Sequence, residues 1–407
     1  MGELLYFRFS LLKCMKKTRI GVLGGGQLGR MLVEASIPWC LDVSILDESI
    51  EFPAAGICTR FYEGDFANYD DVLQFGLAVD VITVEIESVN VEALKQLKAQ
   101  GKTIVPDPEV LEIINDKGIQ KQFYRDHGFP TSEFSLFNDK AEILSAIENG
   151  QLSLPFVQKL RVGGYDGRGV NVIRTVDDLD LLFDEASVVE KMVDIQKELA
   201  VITARKRNGE MKTFPMVEMS FHPTANLVEF LFCPADVDQN FESQARALTE
   251  KIATALEVTG LLAVEFFMDQ HGKLWVNEMA PRPHNSGHHT IEANITSQFE
   301  QHLRVLADLP LGETDLIMPA VMINLLGAEG HAGEALYQGI EEAMAKNGVY
   351  PHLYNKKMTK PKRKMGHITV TQHSLEDAKK CARELLDTVK VISSNKSIEN
   401  GSHYNGL

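Results

Sequence analysis

Two carboxylates set in apolar strands are the strongest chemical signal in this 407-residue sequence. Glu265 stands in Ala263-Val264-Glu265-Phe266-Phe267 and Glu278 in Trp275-Val276-Asn277-Glu278-Met279. The segment between them, Asp269-Gln270-His271-Gly272-Lys273, reads as a hairpin turn. With the turn centred near His271 and Gly272, Glu265 falls opposite Glu278 or its neighbour Asn277. Facing residues on antiparallel strands hold their Cβ atoms about 5 Å apart. Two like charges so placed are costly unless a cation bridges them, and oxygen ligands with room for phosphates suit Mg²⁺. A protonated or edge-exposed acid pair is the bland alternative.

Directly after Glu278 comes Ala280-Pro281-Arg282-Pro283-His284-Asn285-Ser286-Gly287-His288-His289. Its prolines fix Arg, His and Asn side chains beside the carboxylates, which suits an anion pocket; a His-rich transition-metal site is the competing interpretation. A second signal is Arg161-Val162-Gly163-Gly164-Tyr165-Asp166-Gly167-Arg168-Gly169-Val170, with four glycines between two expected strands, 156–160 and 171–174. Such a tip exposes many N–H groups, and with Lys159 and Arg168 it is suited to close over a polyphosphate. The apolar strand 188–193 could offer edge N–H and C=O groups to an adenine ring, with Glu198 near a ribose, or it could simply be core. Asp116, Lys117 and Lys121 belong to an expected helix that runs to His127.

These groups must be carried by ordinary soluble domains. Apolar residues make up 44% and charged residues 24% of the chain, and the length suits two to four domains. A formal charge of -16 argues against a nucleic-acid backbone binder and leaves any anionic substrate to a local basic wall. One such cluster is Lys362, Arg363, Lys364 and His367, expected to follow a loop over 348–361, to precede a strand over 367–371 and to stand at a cleft rim. Five scattered cysteines fit a reducing compartment, and no apolar run approaches a membrane span. Residues 1–17 read as an extra N-terminal segment before a natural start at Met15, and 393–407 as a disordered tail.

The first domain alternates strands (18–23, 42–46, 79–84, 103–105) with helices (27–35, 69–75, 91–99), which implies a parallel sheet. Its first turn, Gly24-Gly25-Gly26-Gln27-Leu28-Gly29, fits G-x-G-x-x-G, and Asp47 stands at the distance of a ribose-binding acid. Three interpretations stay open here: a dinucleotide site, a phosphate site for another substrate, and a tight turn without a ligand.

The order of the Gly24-to-Met31 loop, the Gly-Gly-Tyr-Asp-Gly-Arg-Gly tip, Glu190–Val193, Asn277-Glu278, the Arg-Pro-His-Asn-Ser-Gly-His run and Arg363-Lys364-Met365-Gly366-His367 resembles the ATP-grasp superfamily. Within it, the chain is similar to the N5-carboxyaminoimidazole ribonucleotide synthetases. The resemblance implies an α/β ATP-grasp fold with an N-terminal parallel-sheet (pre-ATP-grasp) domain and a small C-terminal β-rich domain. The expected divisions are 18–114, 115–310 and 311–392. It implies carboxylation of 5-aminoimidazole ribonucleotide by bicarbonate and ATP through carboxyphosphate, in a cytoplasmic homodimer that uses Mg²⁺ or Mn²⁺ and has no nucleic-acid or membrane partner.

The resemblance also implies site roles. Lys117, Lys159 and the loop of Gly164, Tyr165, Asp166, Gly167, Arg168, Gly169 and Val170 would bind phosphates. Glu190, Lys191, Met192 and Val193 would meet adenine, Glu198 the ribose and His222 the nucleotide edge. Glu265 and Glu278 would hold the metal, assisted by Asn277. Arg282, His284, Asn285, Ser286, Arg363 and Lys364 would line the carboxyphosphate and ribonucleotide site, with Tyr165 and Asp166 facing the substrate amine. Gly24, Gly26 and Gln27 would take the ribonucleotide. Rivals are a formate-dependent glycinamide ribonucleotide formyltransferase-like ligase, a non-catalytic nucleotide-binding subunit and an NAD-dependent oxidoreductase. The last leaves the second glycine loop and the carboxylate hairpin unexplained.

Overall fold

The computed structural model describes residues 18–164, 169–221 and 227–394. The first region forms a five-stranded parallel sheet ordered β3-β2-β1-β4-β5: β1 (Arg19–Leu23), β2 (Asp42–Asp47), β3 (Arg60–Glu63), β4 (Val81–Val84) and β5 (Thr103–Val105). Helices Gln27–Ser36, Tyr69–Ala78 and Val91–Ala99 make the crossovers, the last two capped by the side chains of Asn68 and Asn90. Apolar clusters cover both faces, as a parallel sheet requires. Sequence reading missed β3. It is a half-exposed edge strand, Arg-Phe-Tyr-Glu, without a run of branched residues.

A four-stranded sheet follows, ordered β6-β9-β7-β8, from β6 (Phe134–Phe137), β7 (Phe156–Leu160), β8 (Val170–Ile173) and β9 (Ser187–Lys191). Strand β9 lies between β6 and β7 and is mostly buried, so of the two interpretations the sequence left open it is a core strand. It ends at Lys191, and Met192 and Val193 belong to the connection beyond the strand.

The largest sheet is antiparallel. It takes β10 (Ile195–Arg205), β11 (Met211–Thr213), β12 (Val217–Phe221), β13 (Val228–Cys233), β14 (Gly260–Asp269), β15 (Leu274–Ala280), β16 (Ala320–Leu326), β18 (Val349–Leu353) and β20 (Lys364–Thr371). The pairing of β13 with β16 makes the C-terminal strands a continuation of the sheet that carries the carboxylate hairpin. Strands β17 (Gly333–Gln338), β19 (Met358–Thr359) and β21 (Lys390–Ser393) form a separate small sheet.

Two expectations at this end are corrected. The stretch 348–361 is no plain loop, because β18 within it pairs with β20. Ser393 is not tail: it is buried in β21 and its Oγ lies 3.3 Å from His331 Nδ1. Ser394 N–H donates to Glu334 O at 3.1 Å, and residues 395–407 and 1–17 lie outside the described residues.

Candidate active site

The hairpin β14–β15 carries an irregularity where its acids stand. Val264 pairs with Met279 and Phe266 with Val276, so one residue on β14, Glu265, faces two on β15, Asn277 and Glu278. This is a bulge, a device that re-aims side chains where a ladder is interrupted. The sequence left Asn277 and Glu278 as alternatives; the bulge gives Glu265 both. Val264 and Phe266 turn into the core with Leu199 and Val201. By strand alternation Glu265 points to the other face, which it shares with Glu198, paired with Phe267 on β14.

The electrostatics of this face are uneven. Lys117, at the start of helix Lys117–Asp126, forms an ion pair with Glu278. Its ammonium holds Glu278 below the usual carboxylate range, while burial, which lowers Lys117, is outweighed by Glu278, Glu265 and Glu190 together, so Lys117 is raised. Burial, with the charges of Glu278 and Glu198, pushes Glu265 well above that range. Burial likewise takes Glu198 up to about 7. The neighbours of Glu265 are weak ones, Asn277 Nδ2 at 3.4 Å and His284 Nε2 at 3.6 Å. A destabilised carboxylate beside an ionised one is a donor set that gains from a divalent cation. Among the described residues no group of three or more His, Cys, Asp or Glu is arranged to hold a metal. Two carboxylates completed by nucleotide phosphates are nonetheless the usual Mg²⁺ environment, so the residues fit that ion.

Above this face stands β7. Lys159 donates to Asn277 Oδ1 at 2.9 Å and pairs with Glu190 Oε1 at 2.9 Å. Glu190 is buried, so its carboxylate is committed to lysines, and only backbone in this strand remains for an adenine ring. The hairpin base is tied to the helix by Lys117 N–H donating to Arg161 O at 2.9 Å and by the Arg161–Asp116 ion pair at 2.5 Å. Asp116 is the helix N-cap and not part of the helix. Gly164, Gly169 and Val170 flank the tip; Tyr165, Asp166, Gly167, Arg168 and His222 lie outside the described residues.

The run after β15 is pinned by a residue that sequence reading missed. Gln298 is fully buried, accepts from His284 N–H at 2.8 Å and donates to His284 O at 2.7 Å. His284 Nδ1 lies 2.8 Å from Ser286 Oγ, so Nε2 is the nitrogen turned to Glu265. Asn285 and Asn324 of β16 exchange amide hydrogen bonds at 3.0 and 3.1 Å. Arg282 pairs with Glu87 at 2.8 Å, linking the run to the first sheet. His288 and His289 are buried, and burial holds both below the imidazole range, so they add no charge to the pocket.

The first glycine loop behaves differently from expectation. Gly25 N–H donates to Asp47 at 2.6 Å, and Gly26 and Gly29 N–H donate to the two oxygens of Glu85 at 2.6 and 2.5 Å. A Cβ on Gly24, at φ +103°, would come within 2.3 Å of Glu85 Cγ. The glycines therefore make room for protein carboxylates. Asp47 is buried and also accepts from Glu48 N–H at 2.7 Å, so it is not a ribose-binding acid, and the dinucleotide interpretation falls with it. What the loop presents is Glu85 and Gln27.

Gln27 Oε1 accepts from Lys356 Nζ at 2.9 Å, and Lys356 also donates to the carbonyl of Lys364 at 2.8 Å. Lys356 carried no sequence signal beyond its charge. Lys364 opens β20 and does not precede it. His367 is fully buried and stacks on His352, with Tyr354 Oη 3.0 Å from its Nδ1. Burial holds it neutral, so it is not a fourth cation of this cluster. Arg363 donates to the Met358 carbonyl at 2.7 Å.

A parallel sheet, a four-stranded sheet bearing Lys159 and a carboxylate hairpin on an antiparallel sheet define an ATP-grasp protein. Residues 122–299 match the ATP-grasp domain, residues 15–115 the ribonucleotide synthetase preATP-grasp domain, and residues 320–381 the phosphoribosylaminoimidazole carboxylase C-terminal domain. The chain is 35% identical over 354 residues to the N5-carboxyaminoimidazole ribonucleotide synthase of Bacillus subtilis, covering 86% of this chain and 90% of that one. The chain belongs to the N5-carboxyaminoimidazole ribonucleotide synthase family.

The chloroplastic phosphoribosylaminoimidazole carboxylase of Vigna aconitifolia is 37% identical over 90% of this chain, which spans only 66% of that longer protein. Among solved structures, the N5-carboxyaminoimidazole ribonucleotide synthetase of Thermotoga maritima superposes with a TM-score of 0.85 at 38% identity, over 93% of this chain and 100% of that one. The Aspergillus clavatus synthase, solved with ADP and 5-aminoimidazole ribonucleotide, gives 0.84 at 32% identity, over 92% and 98%.

Proposed function

We propose that this chain is a 5-(carboxyamino)imidazole ribonucleotide synthase, converting 5-aminoimidazole ribonucleotide, bicarbonate and ATP to N5-carboxyaminoimidazole ribonucleotide, ADP and phosphate. The observation that supports this is the pair of contact groups around the run after β15, which this reading assigns to one cleft. At one end are Glu265, Glu278, Lys117 and Lys159; at the other are Gln27, Lys356 and Lys364, with Arg282 and His284 between them.

Bicarbonate is a poor electrophile. One of its oxygens attacks the γ-phosphorus, the bond to the ADP oxygen breaks, and carboxyphosphate forms. The substrate amine then adds to the carboxyl carbon and loses a proton, and phosphate leaves with the bridging oxygen. Such transfers need charge neutralisation and alignment more than covalent help. Lys159 and Lys117 supply positive charge at the phosphates, and Gly164, Tyr165, Asp166, Gly167, Arg168, Gly169 and Val170 are assigned to phosphate binding by the family resemblance. Backbone at Lys191, Met192 and Val193 takes adenine, and Glu198 and His222 take the rest of the nucleoside. Glu265 and Glu278 would hold Mg²⁺ or Mn²⁺, which would supply neutralisation of the phosphate charge.

Arg282, His284, Asn285 and Ser286 border the carboxyphosphate. Lys364, Arg363 and Lys356 form the basic wall that the overall charge makes necessary. Since Glu85 fills the first glycine loop, the ribonucleotide meets Glu85 and Gln27 there through its hydroxyls, with its phosphate at the lysines. Among the described residues no helix is long and apolar enough to cross a membrane. A cytoplasmic location and a homodimer belong to the same reading, the dimer testable by sedimentation. The reaction is tested by measuring which acceptor stimulates ATP hydrolysis. Stimulation by 5-aminoimidazole ribonucleotide with bicarbonate is expected; stimulation by glycinamide ribonucleotide with formate would replace it with the formyltransferase chemistry.

A further inference from the structure

Beneath the nucleotide face lies a charged group that the chemistry above does not use. Lys121, one turn along the helix from Lys117, is 3% exposed. Its ammonium donates to Thr131 Oγ1 at 2.7 Å, Ser132 Oγ at 3.2 Å and Glu190 Oε2 at 2.8 Å. An ammonium has three N–H groups, so Lys121 has no donor left for a ligand. Ser132 Oγ also donates to the same Glu190 oxygen, and the other oxygen of Glu190 pairs with Lys159. Lys159 donates one hydrogen bond, to Asn277, while its 2.9 Å contact with Glu190 Oε1 is an ion pair without hydrogen-bond geometry, so the carboxylate holds the ammonium by charge and does not take up its remaining N–H groups. The order of contact is therefore Lys121 and Ser132, then Glu190, then Lys159.

We infer that Lys121 is a positioning residue: with Ser132 it clamps Glu190, and through Glu190 it fixes the Lys159 ammonium at the phosphate site without touching the nucleotide. A lone buried carboxylate with one lysine could swing that lysine away from the cleft or hold it too deep. With Lys121 opposite, the carboxylate is balanced from both sides and its two oxygens are assigned. The arrangement leaves the Lys121–Glu190–Lys159 set with a net charge of +1, delivered at the one ammonium that faces the cleft. A residue that fixes a reacting geometry from behind affects rate through alignment. This inference rests on the phosphate-binding role proposed for Lys159.

The test is a double-mutant cycle on the full chain, reading 5-aminoimidazole ribonucleotide-dependent ATP turnover and the KM of each substrate. Lys121→Met is expected to lower kcat/KM for ATP by roughly tenfold or more while leaving the KM of the ribonucleotide unchanged. Lys159→Met should lower kcat/KM for ATP at least as far, and the double variant no further than Lys159→Met alone, because residues acting in series are not additive. Multiplicative losses would overturn the inference by itself. A Lys159→Met enzyme with normal turnover would overturn it together with the phosphate assignment. If Lys121→Met does not fold, Ser132→Ala enters the same cycle: its loss must also vanish in the Lys159→Met background, and a loss that persists there contradicts the clamp.

Discussion

The Lys356 ammonium donates a 2.9 Å hydrogen bond to Gln27 Oε1 across 329 residues of chain. This contact joins the first helix of the parallel sheet to the segment that leads into β20. A second bond from Lys356 to the Lys364 carbonyl makes the two lysines one wall. Lys356→Ala is expected to raise the KM for the ribonucleotide roughly tenfold or more, the scale of a lost hydrogen bond to a charged group. ATP affinity should stay unchanged. Parallel losses for both substrates would mean that the contact holds the fold and not the substrate.

Lys364→Ala acts on the same wall from the strand itself. It is expected to lower kcat/KM for the ribonucleotide far more than ATP affinity, because an anionic substrate must overcome the field of a -16 chain. Equal losses in both, or no loss in either, would return this residue to the solvated surface.

These contacts also mark what the sequence could and could not disclose. Glu265 and Glu278 were legible because acids are rare in apolar strands and one turn fixes their register to within a residue. The bulge that gives Glu265 both Asn277 and Glu278 was not, since one extra residue leaves no mark on an alternating pattern. The glycine loop was legible as a turn, but its occupants were not. Glu85 reaches Gly26 across 59 residues, and no local pattern encodes a partner at that distance. Gln298, Lys356 and Asn324 were missed for the same reason: each is an ordinary polar residue until the fold brings its partner. The extent of the antiparallel sheet was hidden likewise, because it depends on β13 meeting β16.

Glu278→Gln keeps the shape of the hairpin and removes its charge. Turnover is expected to fall at least about 100-fold, on the order of 3 kcal/mol, as when one stabiliser of a transfer state is lost. The variant should unfold at a temperature near that of the parent. Near-normal activity at saturating Mg²⁺ would remove Glu278 from the metal site.

Buried neutral histidines make the chain sensitive to acid. Burial holds His289 down to about 4 and His302 down to about 3, and His288 and His367 also lie well below the usual value. Unfolded, each has a pKa of about 6.5. Between the folded and unfolded values these histidines bind more protons in the unfolded chain, so the stability they contribute is complete above about pH 6.5 and falls as pH drops below it. His289 and His302 alone should cost on the order of 2 kcal/mol each by about pH 5. Glu265 and Glu198, raised by burial, take up protons in the folded chain over the same range and act in the opposite sense. The check is therefore made on one histidine: His302→Gln should lose less stability than the parent between neutral pH and about pH 5 in denaturant unfolding, and equal losses in the two would contradict it.

The central claim is that ATP activates bicarbonate by phosphorylating it, and the bridging oxygen records that step. With ¹⁸O-labelled bicarbonate, 5-aminoimidazole ribonucleotide and MgATP, the released phosphate should carry one ¹⁸O for each ribonucleotide carboxylated. Unlabelled phosphate released in step with carboxylated product would contradict the account, because bicarbonate would then never have been bonded to phosphorus.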